Sequence, residues 1–401
     1  MRTTWTFHSA GQLVFGRGAA AQLGELAGRM KLRRVCVITD RTLAAAGLAD
    51  TVRRPLEAAD IEVRVFDGGQ PEPSLELADE CLANARRFAP DGLLGLGGGS
   101  NMDLAKIVAA SLTHGGTPRD YIGEDRVPGP VVPLICVPTT SGTGSEVTAA
   151  SVLTDTANQI KVGVLSNYLR PKLAVVDPLL TVTCPAKVTA DSGIDALTHA
   201  IEAYTAVDNE VFPLPEGERT VYQGRHPLAD CLAEKAIELI GRHLARAVHE
   251  PANREARDGM ALAATTAGLA FSNVGVALVH AMEYPVGGAV HCSHGAGNGL
   301  LLPYVMRYNL PARVRQFARI AQLLGEDVTG LSEAAAAERA IRAVERLKTA
   351  IGIPARLRDL GVRQDQLRGF AEKTFGIKRI LRVNPRVPTV DDIEAIFQAA
   401  W

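Results

Sequence analysis

Leu93-Leu94-Gly95-Leu96-Gly97-Gly98-Gly99-Ser100-Asn101-Met102-Asp103-Leu104-Ala105-Lys106 runs from a buried-strand candidate through three glycines into a helical stretch. Glycines at such a junction let the backbone approach a pyrophosphate closely, and the helix N-terminus adds unpaired N–H groups and a partial positive charge. Ser100 is expected to cap that helix. The alternative is a tight strand-to-helix turn with no ligand. Three other short β-branched or apolar runs stand around it, at 34–39, 61–66 and 134–137, with helical apolar spacing over 75–88 between them. Strands alternating with helices predict a parallel sheet covered by helices, a Rossmann-like α/β domain.

Two elements flank the glycine turn in that reading. Asp40 stands at the end of the first of these strands, where a carboxylate takes up a ribose 2′-hydroxyl and repels a 2′-phosphate. The competing reading is that Asp40 caps a helix beginning near Arg41. The turn Pro138-Thr139-Thr140-Ser141-Gly142-Thr143-Gly144-Ser145-Glu146 follows the fourth strand. Its hydroxyls and N–H groups suit a nucleotide, although alone it is also an ordinary Ser/Gly loop.

The character of the chain changes after Pro185. From Val188 to about Ala350, stretches rich in Ala, Leu, Glu and Arg predict helices, broken by a loop over 208–227 that holds Pro213, Pro215, Gly217, Gly224 and Pro227. The expected division is an α/β domain over 1–183 and an all-α domain over 184–401. A chain of 401 residues is long enough for two cores. The formal net charge of -1 points to neither nucleic acid nor an anionic membrane surface. No apolar run reaches the ~20 residues that span a bilayer, and the first residues lack the pattern of a secretory signal. The six cysteines are scattered and form no CxxC pair, which suggests reduced thiols and a cytoplasmic location.

Asp195 and His199 are four apart in a helical stretch and share a face. His280 lies near the end of a segment, 261–282, that contains no Asp, Glu, Lys or Arg, and His291 and His294 follow it. One carboxylate with neutral imidazoles makes a borderline site suited to Fe(II), Zn(II) or Co(II). Taken singly, each histidine is equally a satisfied core or loop residue.

At this point the chain resembles the iron-containing, group III alcohol dehydrogenases. The resemblance is carried by GGGSNMDLAK (97–106), PTTSGTGSEVT (138–148), DSGIDALTHAIEAY (191–204) and FSNVGVALVHAMEYPVGGAVHCSHGAGNGLLLPYVMRYN (271–309). WTFHSAGQLVFGRGAAAQL (5–23) and NPRVPTVDDI (384–393) extend it over essentially the whole chain. It implies a dinucleotide-binding α/β domain and a helical metal domain, with the active site between them. It implies NAD as cofactor and a divalent metal, Fe2+ first and Zn2+ second. It also implies a homo-oligomer, a dimer, acting on a small alcohol, aldehyde or hydroxy acid. The ligand role falls on Asp195, His199, His280 and His294. Pyrophosphate contacts fall on Gly98, Gly99 and Ser100, with Asp103 beside them. Adenosine contacts fall on Asp40, Thr139 and Thr140, the nicotinamide ribose on Lys161, and a pocket wall on Phe271. Many members carry a histidine four residues after the third ligand. Here Tyr284 stands at that position, so Tyr284 or His291 replaces it on the proton path.

The chemistry this implies is hydride transfer. A metal lowers the pKa of an alcohol, and the alkoxide expels hydride onto nicotinamide C4. Two alternatives stand beside it. HAMEYPVGG (280–288), with Tyr222-Gln223-Gly224 and Pro227 to Asp230, resembles the hydroxyacid-oxoacid transhydrogenases, which work on 4-hydroxybutyrate and 2-oxoglutarate. The dehydroquinate synthases share the architecture but need basic residues for a phosphorylated substrate. Arg379, Arg382 and Arg386 are candidates for a substrate carboxylate, or else solvated surface charges.

Overall fold

The alternation in the first half builds a parallel sheet. The structure, a computed structural model, describes residues 2–158, 160–214 and 220–401. Its strands are β1 (Gln12–Phe15), β2 (Arg34–Asp40), β3 (Glu62–Gly69), β4 (Gly92–Gly97), β5 (Gly123–Glu124), β6 (Leu134–Pro138), β7 (Ala150–Asp155), β8 (Ile160–Leu165) and β9 (Leu173–Val176). Among the described residues, six of them pair in parallel in the order β1-β9-β6-β4-β2-β3. β5, β8 and β7 make a second, smaller sheet, with β7 and β8 antiparallel. Helices α1 (Leu23–Arg29), α2 (Arg41–Ala45), α3 (Leu48–Glu57), α4 (Leu75–Phe88) and α5 (Gly99–His114) lie between strands in the chain.

Parallel strands are buried on both faces, so each contributes to two cores in alternation. Cys36 and Ile38 of β2, Leu93 of β4 and Cys136 of β6 pack with α4 and α5 on one face. Val35, Val37, Leu94, Leu96, Ile135 and Val137 pack with α1 and α3 on the other. Helix α4 begins where Ser74 accepts the N–H of Leu77 at 3.1 Å and ends at Ala89, which is left-handed with φ 52°. Leu75, Ala78, Cys81, Leu82, Ala85 and Phe88 form its buried stripe. Truncating Leu82 in such a stripe typically costs ~2–5 kcal/mol. Helix α5 approaches β4 so closely that a Cβ on Gly95 would stand 3.0 Å from Ala105 Cβ.

The second half is helical, with α6 (Ala186–Thr205), α7 (Pro227–His249), α8 (Arg254–Val274), α9 (Leu278–Val290), α10 (His294–Asn309), α11 (Val314–Leu323), α12 (Glu333–Ala350), α13 (Leu367–Gly376), α14 (Lys378–Leu381) and α15 (Val390–Ala400). Helix α6 is buried nearly all round, as the centre of a helical core must be. The expected loop at 208–227 contains a short 3-10 turn, Asn209–Val211, and gives way to α7 at Pro227. Pro215 and Gly217 lie outside the described residues. The chain divides into two compact units. One is His8–Cys184 with Arg219–Val221, and the other is Met1–Phe7, Pro185–Glu218 and Tyr222–Trp401. The N-terminal residues join the helical unit through Trp5, whose ring stacks on His226 at 4.4 Å, and Thr6, which exchanges two hydrogen bonds with Gln223. Among the described residues no disulfide joins the cysteines, and no single helix is long and apolar enough to cross a membrane.

Candidate functional site

In a doubly wound sheet the ligand crevice lies outside the carboxyl ends of strands where the winding reverses. Here the chain winds from β2 to β3 on one side and from β4 to β6 on the other, with β2 and β4 adjacent. Asp40 ends β2 and Gly97 ends β4, so the two sequence candidates meet at that reversal. Gly97 has φ +142°, and a Cβ there would lie 2.3 Å from Asn101 Nδ2. A side chain is excluded both by the backbone conformation and by space.

The cap of α5 differs from expectation. Gly98, with extended backbone, is the N-cap and has no side chain to cap the helix, and among the described residues no side-chain cap hydrogen bond is made there. Ser100 lies inside the helix, and its Oγ accepts the N–H of Glu72 at 3.2 Å. The first N–H groups of α5 therefore have no capping acceptor, which is the arrangement that receives an anion. The 138–146 turn crosses over them. Thr139 N donates to Gly97 O at 3.0 Å, and Thr140 Oγ1 lies 3.5 Å from where a Gly98 Cβ would be. Asp40 is the N-cap of α2, with Oδ1 accepting from Leu43 N at 2.9 Å. Its Oδ2 accepts from Asn101 Nδ2 at 2.8 Å, and the same amide donates to Leu96 O. The capping reading of Asp40 is thus realised, and each carboxylate oxygen keeps lone-pair capacity for a further donor. Lys161, on β8, pairs with Glu72 at 2.9 Å.

One buried cation in this unit escaped the sequence reading. Lys106 is fully enclosed, and its ammonium donates to Ser145 Oγ at 2.7 Å, Thr148 Oγ1 at 3.0 Å and Ala150 O at 2.8 Å. Asp103 accepts from Ser145 Oγ at 2.7 Å and Val152 N at 2.9 Å. Its carboxylate therefore braces the turn from α5. Burial draws the Lys106 ammonium below its usual pKa, and Asp103 is the first charge that opposes this. Lys106→Met keeps the stem and deletes three donors, so the turn over the glycines loosens. The expected result is ~10-fold weaker NADH binding, from the loss of charged hydrogen bonds worth ~1.5–3 kcal/mol each, with kcat at saturating cofactor much less changed. Equal NADH affinity in a folded Lys106→Met protein would rule this role out.

The helical unit gathers the second constellation. Asp195 and His199 project from one face of α6. Helices α8 and α9 meet at a bend of 102°, which swings His280, in the first turn of α9, toward α6. Helix α10 begins at His294 and touches α6 through glycine. A Cβ on Gly295 would lie 2.0 Å from Asp191 O, and one on Gly299 would lie 2.6 Å from Ile194 Cγ2. These glycines let the backbones approach closely enough to bring His294 to Asp195.

Asp195, His280 and His294 offer ligand atoms that all lie within 4.8 Å of one another. Asp195 Oδ1 is 3.7 Å from His280 Nε2 and 4.0 Å from His294 Nε2. Two ligands ~2.0–2.1 Å from one tetrahedral ion stand ~3.4 Å apart. His199 stands beside this trio and outside it. Its Nδ1 is 3.8 Å from Asp195 Oδ2, and its ring lies between Phe271, at 4.0 Å and 10°, and His280, at 4.6 Å and 23°.

Three buried polar groups that the sequence reading did not single out shape the trio. Glu202 Oε2 lies 2.6 Å from His280 Nδ1, and the same carboxylate accepts the N–H groups of Ala277, at 2.8 Å, and Val279, at 2.7 Å. It therefore caps α9 as an anion at a helix N-terminus. Glu283 holds His294 Nδ1. Asn298 Nδ2 donates to Asp195 Oδ1 at 2.8 Å and lies 3.1 Å from His294 Nε2. The available signal was the acid three residues after each histidine in HAIE and HAME.

These contacts test whether the residues suit a metal. With Nδ1–H of His280 given to Glu202, Nε2 carries a lone pair. That nitrogen is buried, has no hydrogen-bond partner and faces a carboxylate oxygen at 3.7 Å. The gap is too wide for a hydrogen bond. Two buried lone pairs facing each other are unfavourable unless a cation lies between them. Burial raises the Asp195 carboxyl, and positive charge at the surrounding His199, His294 and His280, with the Asn298 amide, is what holds it down; with neutral imidazoles that charge falls to a bound cation. A carboxylate and imidazoles that present lone pairs to one point fit a borderline divalent ion.

Tyr284 stands one turn beyond His280 on α9, with its ring 6.2 Å from that of His294 and tilted by 46°. His291 is exposed and left-handed, φ 51°, as the C-cap of α9. Arg386 is engaged by Tyr308, donating to its backbone O and lying 4.0 Å over its ring, and Arg382 lies 5.7 Å over Phe212.

Comparison with known proteins adds an independent line. Residues 10–178 match the family model for iron-containing alcohol dehydrogenase, and residues 218–401 match that for the C-terminal part of the Fe-containing alcohol dehydrogenase family. The chain is 38% identical over 387 residues to the NAD-dependent methanol dehydrogenase of Bacillus methanolicus, covering 96% of this chain and 97% of that protein. It is 39% identical over 389 residues to the 1,3-propanediol dehydrogenase of Klebsiella pneumoniae, covering 96% of each. A solved 1,3-propanediol oxidoreductase superposes with a TM-score of 0.93 at 38% identity, covering 99% of this chain and 100% of that one.

Proposed function

The chain belongs to the iron-containing alcohol dehydrogenase family, and from that premise we infer that it interconverts small primary alcohols or diols and their aldehydes on exchangeable NAD(H). It is a metal-dependent, NAD-linked alcohol dehydrogenase. The observation that carries the site is the unpaired, buried Nε2 of His280 facing Asp195 within the Asp195–His280–His294 cluster. The bound metal supplies Lewis acidity toward a substrate oxygen, and the nicotinamide takes or gives the hydride. Asp195, His280 and His294 hold that ion, with His199 as fourth ligand after a turn of its ring. Phe271 supports His199 by stacking and walls the pocket. Tyr284 hydrogen-bonds the reacting oxygen or an ordered water. Gly98, Gly99 and Ser100 receive the pyrophosphate, Thr139 and Thr140 the adenosine side, and Lys161 the nicotinamide ribose. A cytoplasmic location and a homodimer complete the proposal.

The lyase alternative falls with the family assignment. Nothing in the described contacts favours the transhydrogenase alternative, and the relatives named above are dehydrogenases and an oxidoreductase. The deciding experiment uses protein reconstituted with Fe(II) without oxygen. Methanol, longer primary alcohols and 1,3-propanediol are expected to reduce added NAD+. Stoichiometric exchange between 4-hydroxybutyrate and 2-oxoglutarate with no added NAD would overturn the reading. In the same assay NAD(H) should outperform NADP(H), because Asp40 meets the 2′-position as a carboxylate. Asp40→Gly should narrow that preference, and a native preference for NADP(H) would remove the role of Asp40.

A further inference from the structure

Each of three helices brings the Asp195–His280–His294 trio one ligand and one side chain that holds the ligand of another helix. Helix α6 carries Asp195 and, seven residues on, Glu202. Helix α9 carries His280 and, three residues on, Glu283. Helix α10 carries His294 and, four residues on, Asn298. All three spacings return to the same helical face. The contacts then run in one direction round a circle. Glu202 of α6 takes His280 of α9 at 2.6 Å, Glu283 of α9 takes His294 of α10, and Asn298 of α10 donates to Asp195 of α6 at 2.8 Å. Glu202 is 4% exposed, and Glu283 and Asn298 are 0% exposed, so water does not replace these partners.

We propose that Glu202, Glu283 and Asn298 are positioning residues that form one closed ring. The ring fixes the tautomers of His280 and His294 and the rotamer of Asp195 before an ion arrives, and metal is retained by the ring as a unit. The inference rests on the metal reading above. A carboxylate at Nδ1 keeps the ring proton there and leaves the lone pair on Nε2 for the ion, and it raises the basicity of the imidazole. A glutamine in its place can instead donate to Nδ1, which puts the proton on Nε2, where it competes with the ion. Asn298 holds the carboxylate toward the histidines through one amide hydrogen while the other lies toward His294 Nε2 at 3.1 Å. Because the links close on themselves, breaking any one frees the ligand it holds and opens the circle that ties the three helices together.

The test uses the full chain stripped of metal, with Co(II) as the probe. Affinity is read by competition with a chelator, site geometry by the Co(II) visible spectrum, and fold integrity by the Tm of the metal-free protein. Glu202→Gln, Glu283→Gln and Asn298→Leu are each expected to weaken Co(II) by ~10–100-fold and to change its spectrum. The paired variants should weaken it by no more than about 3-fold beyond the weaker single, since one break already opens the ring and coupled neighbours do not add. Fold losses that multiply in the pairs would overturn the ring, as would wild-type affinity in the singles. A lower Tm with unchanged affinity and spectrum would mean that these residues only pack. His280→Ala separates the two levels. Retained Co(II) in that protein defeats the metal reading itself, whereas lost Co(II) there with intact binding in the three singles defeats the ring alone.

Discussion

His280→Ala and His294→Ala each yield protein that holds no stoichiometric metal after desalting and turns over at no more than ~10⁻³ of the native rate. The expectation follows from the geometry of the cluster. Removing His280 deletes a buried nitrogen that faces Asp195 at 3.7 Å without a hydrogen-bond partner. It also strands Glu202, whose carboxylate keeps the N–H groups of Ala277 and Val279 but loses the imidazole. Removing His294 similarly takes the imidazole from Glu283, which is 0% exposed. Lewis-acid stabilisation is worth several kcal/mol, and ~1.4 kcal/mol corresponds to tenfold in rate, which sets the size of the loss. Metal content by elemental analysis and NAD+ reduction by a primary alcohol, on proteins whose metal-free Tm stays near wild type, check both parts. Full metal content in both variants would remove these histidines as ligands.

How far the sequence showed this depends on whether a feature acts locally. The glycine run was legible because its meaning is contained in adjacent residues, a strand end, a turn and a helix start. Asp195 and His199 were legible because four residues on a helix is itself a geometric statement. The helix cap was misread. A hydroxyl is the common cap, but α5 starts earlier, at Gly99, where the absence of a side chain matters more than a hydrogen bond. Strands β1 and β9 have four residues each, too few to show a period, and β1 lies at the exposed edge of the sheet. Glu202, Glu283 and Asn298 were hidden for a different reason. Their partners lie 78, 11 and 103 residues away, so the local HAIE and HAME spacing marks two of them without showing which ligand each one holds. Lys106 closed a motif already read as a nucleotide turn, but whether a lysine points to solvent or into a core is a tertiary fact.

Tyr284→Phe is expected to lower kcat by ~10²-fold, the low end for acid–base groups, with metal content unchanged. Tyr284 follows His280 by one turn of α9, and its ring lies 6.2 Å from the ring of His294. That places a phenol next to two ligands without making it one. An ordinary phenol has a pKa of ~10 and stays protonated at neutral pH, so it donates a hydrogen bond far more readily than it coordinates a metal. A donor beside the ion orients a reacting oxygen, or an ordered water that carries its proton away, and both matter to the chemical step. Phenylalanine keeps the ring and its packing and deletes only the hydroxyl, so the substitution isolates that role. His291 is the rival on the proton path, but it sits exposed in left-handed conformation at the end of α9. Single-turnover measurement of hydride transfer with metal-loaded protein separates the two. A large fall in Tyr284→Phe with little change in His291→Ala assigns the hydroxyl to the chemical step. Native rates in Tyr284→Phe reduce the tyrosine to a packing residue and pass the proton to His291 or to water.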